Sequence, residues 1–179
     1  MDNEQWTIKK TENHFVYLYS SPSGDKIGVV AFYMRIYLDT CCFNRPYDLQ
    51  NQASIVMEGE AILTIIGKCS ENNNWFFFGS DVLEDEMDNI IDPIKKQKVL
   101  GLYSSTEEHI ELNNDIIKRA LNLQSFGFGS YDALHLASAE NAGADVFLTT
   151  DKKLINQAKK VGLSVDVSNP FVWLSEVGL

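Results

Sequence analysis

Four acidic residues stand where chemistry is most readily built. Asp39 follows the apolar run Ile36-Tyr37-Leu38, Glu86 lies six residues past Ser80, Asp132 lies two past Ser130, and Asp151 follows Phe147-Leu148-Thr149-Thr150. In an open parallel sheet the ligand crevice forms at the carboxyl ends of the strands, where loops and helix N-termini converge. Four carboxylates brought to one such rim repel one another and rise in pKa unless a cation neutralises them. Oxygen ligands favour Mg²⁺ or Mn²⁺ over zinc, and such ions take further ligands from substrate phosphates. The chemistry this points to is metal-assisted phosphodiester hydrolysis by an activated water, with no histidine base required.

Each acid also has a plainer reading. Asp39 ends a strand, although an acid directly after a buried run needs a partner. Asp132 in a helix's first turn serves the helix dipole, and Asp151 caps the helix that follows it. The three gain weight together. Glu86 sits among Glu84, Asp85 and Asp88, a run that as a whole reads as a solvated face. Helical spacing separates them: Val82, Leu83, Met87 and Ile90 form the apolar side, Glu86 lies on its edge, and Asp85 and Asp88 point outward.

The elements that must position these residues can be read along the chain. HFVYLY at 14–19 and KIGVVAFY at 26–33, split by a turn-rich SSPSGD, read as a β-hairpin in an N-terminal extension over residues 1–33. From Met34 a core domain is expected to run to residue 179. Apolar residues from Ala53 to Ile66 recur at helical spacing, and WFFFGS at 75–80 reads as a strand buried on both faces. Ser80 is placed to cap a helix over 81–89, Asp92-Pro93 breaks it, and a second helix runs from Ile94 to Tyr103. HIEL at 109–112 is a weak strand, and Asn113 or Asn114 caps the next helix. Ser130 is expected to cap a helix closed by Gly143, and DVFLTTD and LSVDVSNP supply two further strands around the helix that begins at Lys152. Strands alternating with helices make the fold class α/β, with a mainly parallel central sheet flanked by helices.

Composition narrows the rest. The chain has 179 residues, the size of one domain, with 25 acidic against 15 basic side chains and a formal charge of −10. That balance excludes a histone-like or polybasic membrane-surface protein but not a nuclease with carboxylates at its centre. Cys41, Cys42 and Cys69 are odd in number, without zinc spacing, and exclude a disulfide framework. No signal or membrane-spanning stretch is apparent, so the expected location is the cytoplasm, with no membrane partner. His135 shares a helical face with Asp132 and is expected to be a packed, hydrogen-bonded helix residue. Of the basic residues, Arg45, Lys152 and Lys153 follow Asp39 and Asp151 closely and are placed to grip phosphates; the other lysine clusters read as solvated faces.

The string IYLDTCCFNRPYD at 36–48, GSDVLEDE at 79–86 and SYDALHLASAENAGADVFLTTDKKL at 130–154, in this order, resemble a PIN domain, the fold of VapC-type toxin ribonucleases. The resemblance runs from Met34 to the C-terminus. Asn44-Arg45-Pro46 and the tandem cysteines are closer to a subgroup of uncharacterised PIN proteins than to the best-known toxins. The resemblance implies that Asp39, Glu86, Asp132 and Asp151 are an acidic Mg²⁺ or Mn²⁺ site, lined by the small polar residues Thr40, Ser80 and Thr150. It implies RNA as substrate, an antitoxin protein as partner and a homodimer. The competing expectation is a catalytically silent PIN-fold module that binds RNA or protein. A receiver-like regulatory domain is disfavoured because no strand-end lysine faces Asp39.

Overall fold

The computed structural model describes residues 5–11, 14–20, 26–31, 34–71, 74–106 and 108–177. The chain divides into two compact units, residues 1–34 and 35–179.

The first unit holds β1 (Gln5–Thr11), β2 (His14–Ser20) and β3 (Lys26–Ala31), paired antiparallel in the order β1-β2-β3. The two runs expected as a hairpin do pair, with Tyr17 opposite Val29. Their turn at residues 21–25 and the last two residues of the KIGVVAFY run lie outside the described residues. An additional strand, β1, joins them, with Thr7 opposite Leu18. Its sequence QWTIKKT holds aromatic and β-branched residues only at Trp6, Thr7, Ile8 and Thr11, a signal too short to stand out unaided.

The second unit is built on a five-stranded, all-parallel sheet of order β6-β5-β4-β7-β8. Its strands are β4 (Met34–Leu38, Met34 being the last residue of the first unit), β5 (Trp75–Ser80), β6 (Glu108–Ile110), β7 (Val146–Leu148) and β8 (Asp166–Ser168). The helices are α1 (Thr40–Asn44), α2 (Ala53–Glu71), α3 (Asp81–Asp88), α4 (Pro93–Tyr103), α5 (Asn114–Ser125), α6 (Ser130–Ala142), α7 (Lys152–Ala158) and α8 (Pro170–Glu176). Because helices cover a parallel sheet, its central strands read as unbroken apolar runs. Ile36, Tyr37, Leu38, Phe77 and Phe147 are all fully buried. Each such side chain contributes roughly 1.5–3 kcal/mol on burial.

Capping explains most boundaries. Ser80 accepts from the Leu83 amide at the start of α3, Asp92 from the amides of Ile94 and Lys95 before Pro93-led α4, and Asn113 from those of Asp115 and Ile116. Gly143 ends α6 in the left-handed region at φ 66°, where a side chain would be strained. One expectation is corrected and one helix is additional. Ser130 is the first helical residue of α6, and the cap position is Gly129, which offers no side-chain oxygen. After β8 the chain forms α8, capped by Asn169 with Pro170 at its first position, a start signal that the short following run obscured. Gly79 is required by close approach: a Cβ there would lie 2.6 Å from the Tyr103 hydroxyl, which accepts from the Ser80 amide at 3.0 Å. Among the described residues no helix is long and apolar enough to cross a membrane.

Candidate functional site

The alternation of strands and helices sets where the acids fall. β4, β5 and β7 run parallel, so their carboxyl ends share one edge, and α6, which leads into β7, begins at that same edge. Asp39 continues β4 there: its amide donates to the Leu148 carbonyl of β7 at 2.9 Å, which pins the residue across the two central strands. Its side chain is only 9% exposed. Asp39 Oδ2 accepts from Thr149 Oγ1 at 2.6 Å and from Cys41 Sγ at 3.0 Å, donors that offset the desolvation of a buried carboxylate.

Glu86 projects from α3, half-buried, while Asp85 and Asp88 are exposed, as the helical spacing requires. Its Oε2 accepts from Thr40 Oγ1 at 2.5 Å and lies 2.7 Å from His135 Nε2. Burial pushes the Glu86 pKa up, but the hydrogen bonds from His135 and Thr40 outweigh it and hold the carboxyl below its ordinary value. Ligand atoms of Asp39, Glu86 and His135 all lie within 4.8 Å of one another.

Asp132 is half-buried in the first turn of α6. Burial, then the charges of Asp39 and Asp151, raise its pKa above the ordinary value. Its Oδ2 lies 3.0 Å from the position a Cβ on Gly129 would take, so the glycine leaves the carboxylate room. Asp151 is exposed, and its Oδ1 accepts from the amides of Lys153 at 2.7 Å and Leu154 at 3.2 Å, capping α7. The four acids have unequal roles: Asp39 and Glu86 bring ligand atoms within 4.8 Å of each other, each held by its own partners, Asp132 feels the charges of Asp39 and Asp151, and Asp151 also caps a helix.

The small polar residues divide similarly. Thr40 sits on Glu86, and Thr150 is buried with its amide donating to Cys41 Sγ at 3.2 Å. Ser80 is fully buried and turns away from the rim, its hydroxyl 2.8 Å from Tyr37 Oη. Arg45 is held by Asp48 at 3.1 Å and by Glu58 at 3.0 Å. Lys152 and Lys153 are exposed at the start of α7; Lys152 also borders a cavity of about 410 Å³ beside Met57 and Phe171. His135 is packed and hydrogen-bonded, 1% exposed, with Nδ1 2.8 Å from Tyr37 Oη. Sequence reasoning missed Thr149, Tyr37 and the Cys41 contact. A signal existed: extended residues two apart share a face, which puts Tyr37 with Asp39 and Thr149 with Asp151, whose amide donates to Thr149 Oγ1 at 3.1 Å.

The donor set suits a divalent cation. Two carboxylates and an imidazole lie within coordinating distance of one another, and Asp132 beside them carries a like-charge burden that a cation would relieve. A second cluster, Asp81, Glu84 and His109, is exposed at the start of α3 and the end of β6.

No family model and no curated protein match this chain. Among solved structures it is similar to VapBC2 from Rickettsia felis bound to a DNA fragment from its promoter, with TM-score 0.52 and 16% identity over 76% of this chain and 98% of that one. It is also similar to PAE2754 from Pyrobaculum aerophilum, with TM-score 0.45 and 12% identity over 80% of this chain and 89% of that one. The parallel five-stranded sheet, its flanking helices and the likeness to the Rickettsia felis structure give this chain the PIN-domain fold.

Proposed function

We propose that this protein is a Mg²⁺- or Mn²⁺-dependent endoribonuclease, with Asp39, Glu86 and Asp132 holding the metal and Asp151 contributing charge at the outer side. The observation that carries this reading is the convergence of Asp39, Glu86 and the polar groups that orient them on the carboxyl edge of the sheet. A bound Mg²⁺ or Mn²⁺ supplies neutralisation of phosphate charge and acidification of water. The protein's own part is orientation: Thr149 and Cys41 fix the Asp39 carboxylate, and Thr40 and His135 fix that of Glu86. Lys152 and Lys153, exposed beside Asp151, meet the phosphates flanking the scissile bond, and Arg45 acts there only by releasing Asp48 or Glu58.

The further parts of the proposal are a toxin role, an antitoxin partner, a homodimer and a cytoplasmic location; the VapBC2 complex is what supports the partner. A small DNA-binding protein encoded beside this one favours the toxin role, and its absence favours a nuclease acting alone. Asp39→Asn keeps the side-chain volume and removes the charge. It is expected to abolish metal-dependent cleavage of RNA while the protein stays folded. Cleavage at the wild-type rate by Asp39→Asn would sink the assignment, and a wild type that binds Mn²⁺ and RNA without cutting would leave a silent binding module.

A further inference from the structure

Behind Glu86 a line of polar groups runs into the core. His135 Nε2 is 2.7 Å from Glu86 Oε2, His135 Nδ1 is 2.8 Å from Tyr37 Oη, and Tyr37 Oη is 2.8 Å from Ser80 Oγ. Ser80 Oγ in turn accepts from the Leu83 amide at 3.1 Å. Tyr37, Ser80 and His135 are at most 1% exposed, so each of these groups must find its partner within the protein.

With a neutral imidazole, one arrangement of protons satisfies the whole line. The Ser80 hydroxyl donates to Tyr37 Oη, the Tyr37 hydroxyl donates to Nδ1, and Nε2–H donates to Glu86. The reverse arrangement aims the Nε2 lone pair at an ionised carboxylate. The tyrosine is fixed by packing, stacked on Phe147 at 5.4 Å between ring centroids and edge-on to His135 at 5.8 Å. Thr40 and His135 both engage Oε2 of Glu86, and Oε1 has no donor among the described residues.

We propose that Tyr37 and His135 are positioning residues: Tyr37 selects the Nε2–H tautomer of His135, and His135 holds Glu86 with one carboxylate oxygen turned to the cation. The imidazole proton is then committed to Glu86, and His135 is not itself a metal ligand. This rests on the metal-site reading above. A ring nitrogen committed to a carboxylate orients it as outer partners of metal ligands do, and loss of such a partner costs about 10–100-fold in metal affinity.

The test is Mn²⁺ titration followed by electron paramagnetic resonance, with metal-free melting temperatures as the check on folding. His135→Leu removes the donor at similar volume, whereas the amide of His135→Gln can still reach Glu86. His135→Leu is expected to weaken Mn²⁺ binding by about tenfold or more, and His135→Gln to recover most of that. Tyr37→Phe, which removes one oxygen from a packed ring, is expected to fold, to bind Mn²⁺ more weakly, and to lose the single Nε2–H tautomer in ¹⁵N spectra of the imidazole. Electron spin echo spectra of the wild-type Mn²⁺ complex are expected to contain no directly coordinated nitrogen. A coordinated histidine nitrogen, or equal affinities in His135→Leu, His135→Gln and wild type, overturns the proposal. If His135→Leu does not fold, unchanged affinity and tautomer in Tyr37→Phe overturns it. Mn²⁺ binding lost in Asp39→Asn but untouched by these variants leaves the metal site standing alone; no Mn²⁺ binding by the wild type removes both.

Discussion

Two sets of one histidine and two acids lie at opposite ends of the exposure scale in this unit. Asp39, Glu86 and His135 are buried or half-buried at the carboxyl edge of the central strands, whereas Asp81, Glu84 and His109 are exposed where α3 and the edge strand β6 meet. In the outer set, His109 Nε2 lies 2.7 Å from Asp81 and its Nδ1 3.7 Å from Glu84, so the ring spans its two acids. Asp81 also accepts from the Leu112 amide at 2.7 Å. That makes the outer set a fastener between α3 and the end of β6. In the inner set the imidazole engages one acid and a tyrosine, and the second acid is held by Thr149 and Cys41. Three donors within reach of one another are therefore not enough. Burial and outside support of each carboxylate distinguish a site from an ion pair in water.

The largest expected contrast is catalytic. Asp39→Asn is expected to lower metal-dependent RNA cleavage by about a hundredfold or more, since a metal ligand supplies several kcal/mol of transition-state stabilisation and each 1.4 kcal/mol is tenfold. Asp81→Asn is expected to cleave at the wild-type rate, as measured on a labelled single-stranded RNA. Equal losses in the two variants would erase the distinction.

Metal-linked stability comes next. Saturating Mn²⁺, at about a hundred times its Kd, is expected to stabilise the wild type by about 2.7 kcal/mol. For a chain of this size that is a rise in melting temperature of about 5–11 °C. The rise should persist in His109→Gln and vanish in Asp39→Asn.

Metal-free stability then separates the supporting networks. Ser80→Ala removes a helix cap and a partner of buried Tyr37, at an expected cost of about 1–2 kcal/mol in urea unfolding. His109→Gln breaks an exposed pair, and its cost, discounted for solvent, is expected to stay below about 1 kcal/mol and to shrink in salt. A cost for His109→Gln exceeding that for Ser80→Ala would invert the comparison.

The smallest effect is a pH dependence in the outer set. The Leu112 amide first, then His109, hold the Asp81 carboxyl below its ordinary value of 3.8. A carboxylate with a depressed folded pKa stabilises the fold above its unfolded value, and that stability is lost as pH falls through the folded one. The stability gap between wild type and Asp81→Asn is therefore expected to be full above about pH 4 and to close below it. A gap that widened as pH fell would show that the Leu112 and His109 contacts do not hold Asp81 ionised.

The legible parts of this molecule are those with local causes. WFFFGS was readable as a buried strand because a strand covered on both faces tolerates no polar alternation, and its boundaries are those observed, Trp75–Ser80. The caps at Ser80, Asp92 and Asn113 were readable because a capping oxygen acts within three residues. The short β1 and α8 were missed, being stabilised by pairing or packing rather than by their own pattern. Ser130 was misplaced by one position, because a glycine supplies the cap geometry without an oxygen to betray it.

At the site, the sequence by itself determined which residue types are present and that Asp39 and Asp151 stand at strand ends, Asp132 in the first turn of a helix and Glu86 one to two turns into another. Those are consequences of periodicity, a property of neighbours along the chain. Only the tertiary structure decided their partners: Thr149 rather than Thr150 on Asp39, Ser80 turned inward to Tyr37, and His135 on Glu86. Each of these contacts joins residues more than forty positions apart, and such pairs are set by the order and register in which strands enter the sheet. Hydrogen-bond direction and burial follow from that packing, and with them the lowered pKa of Glu86 and the raised pKa of Asp132.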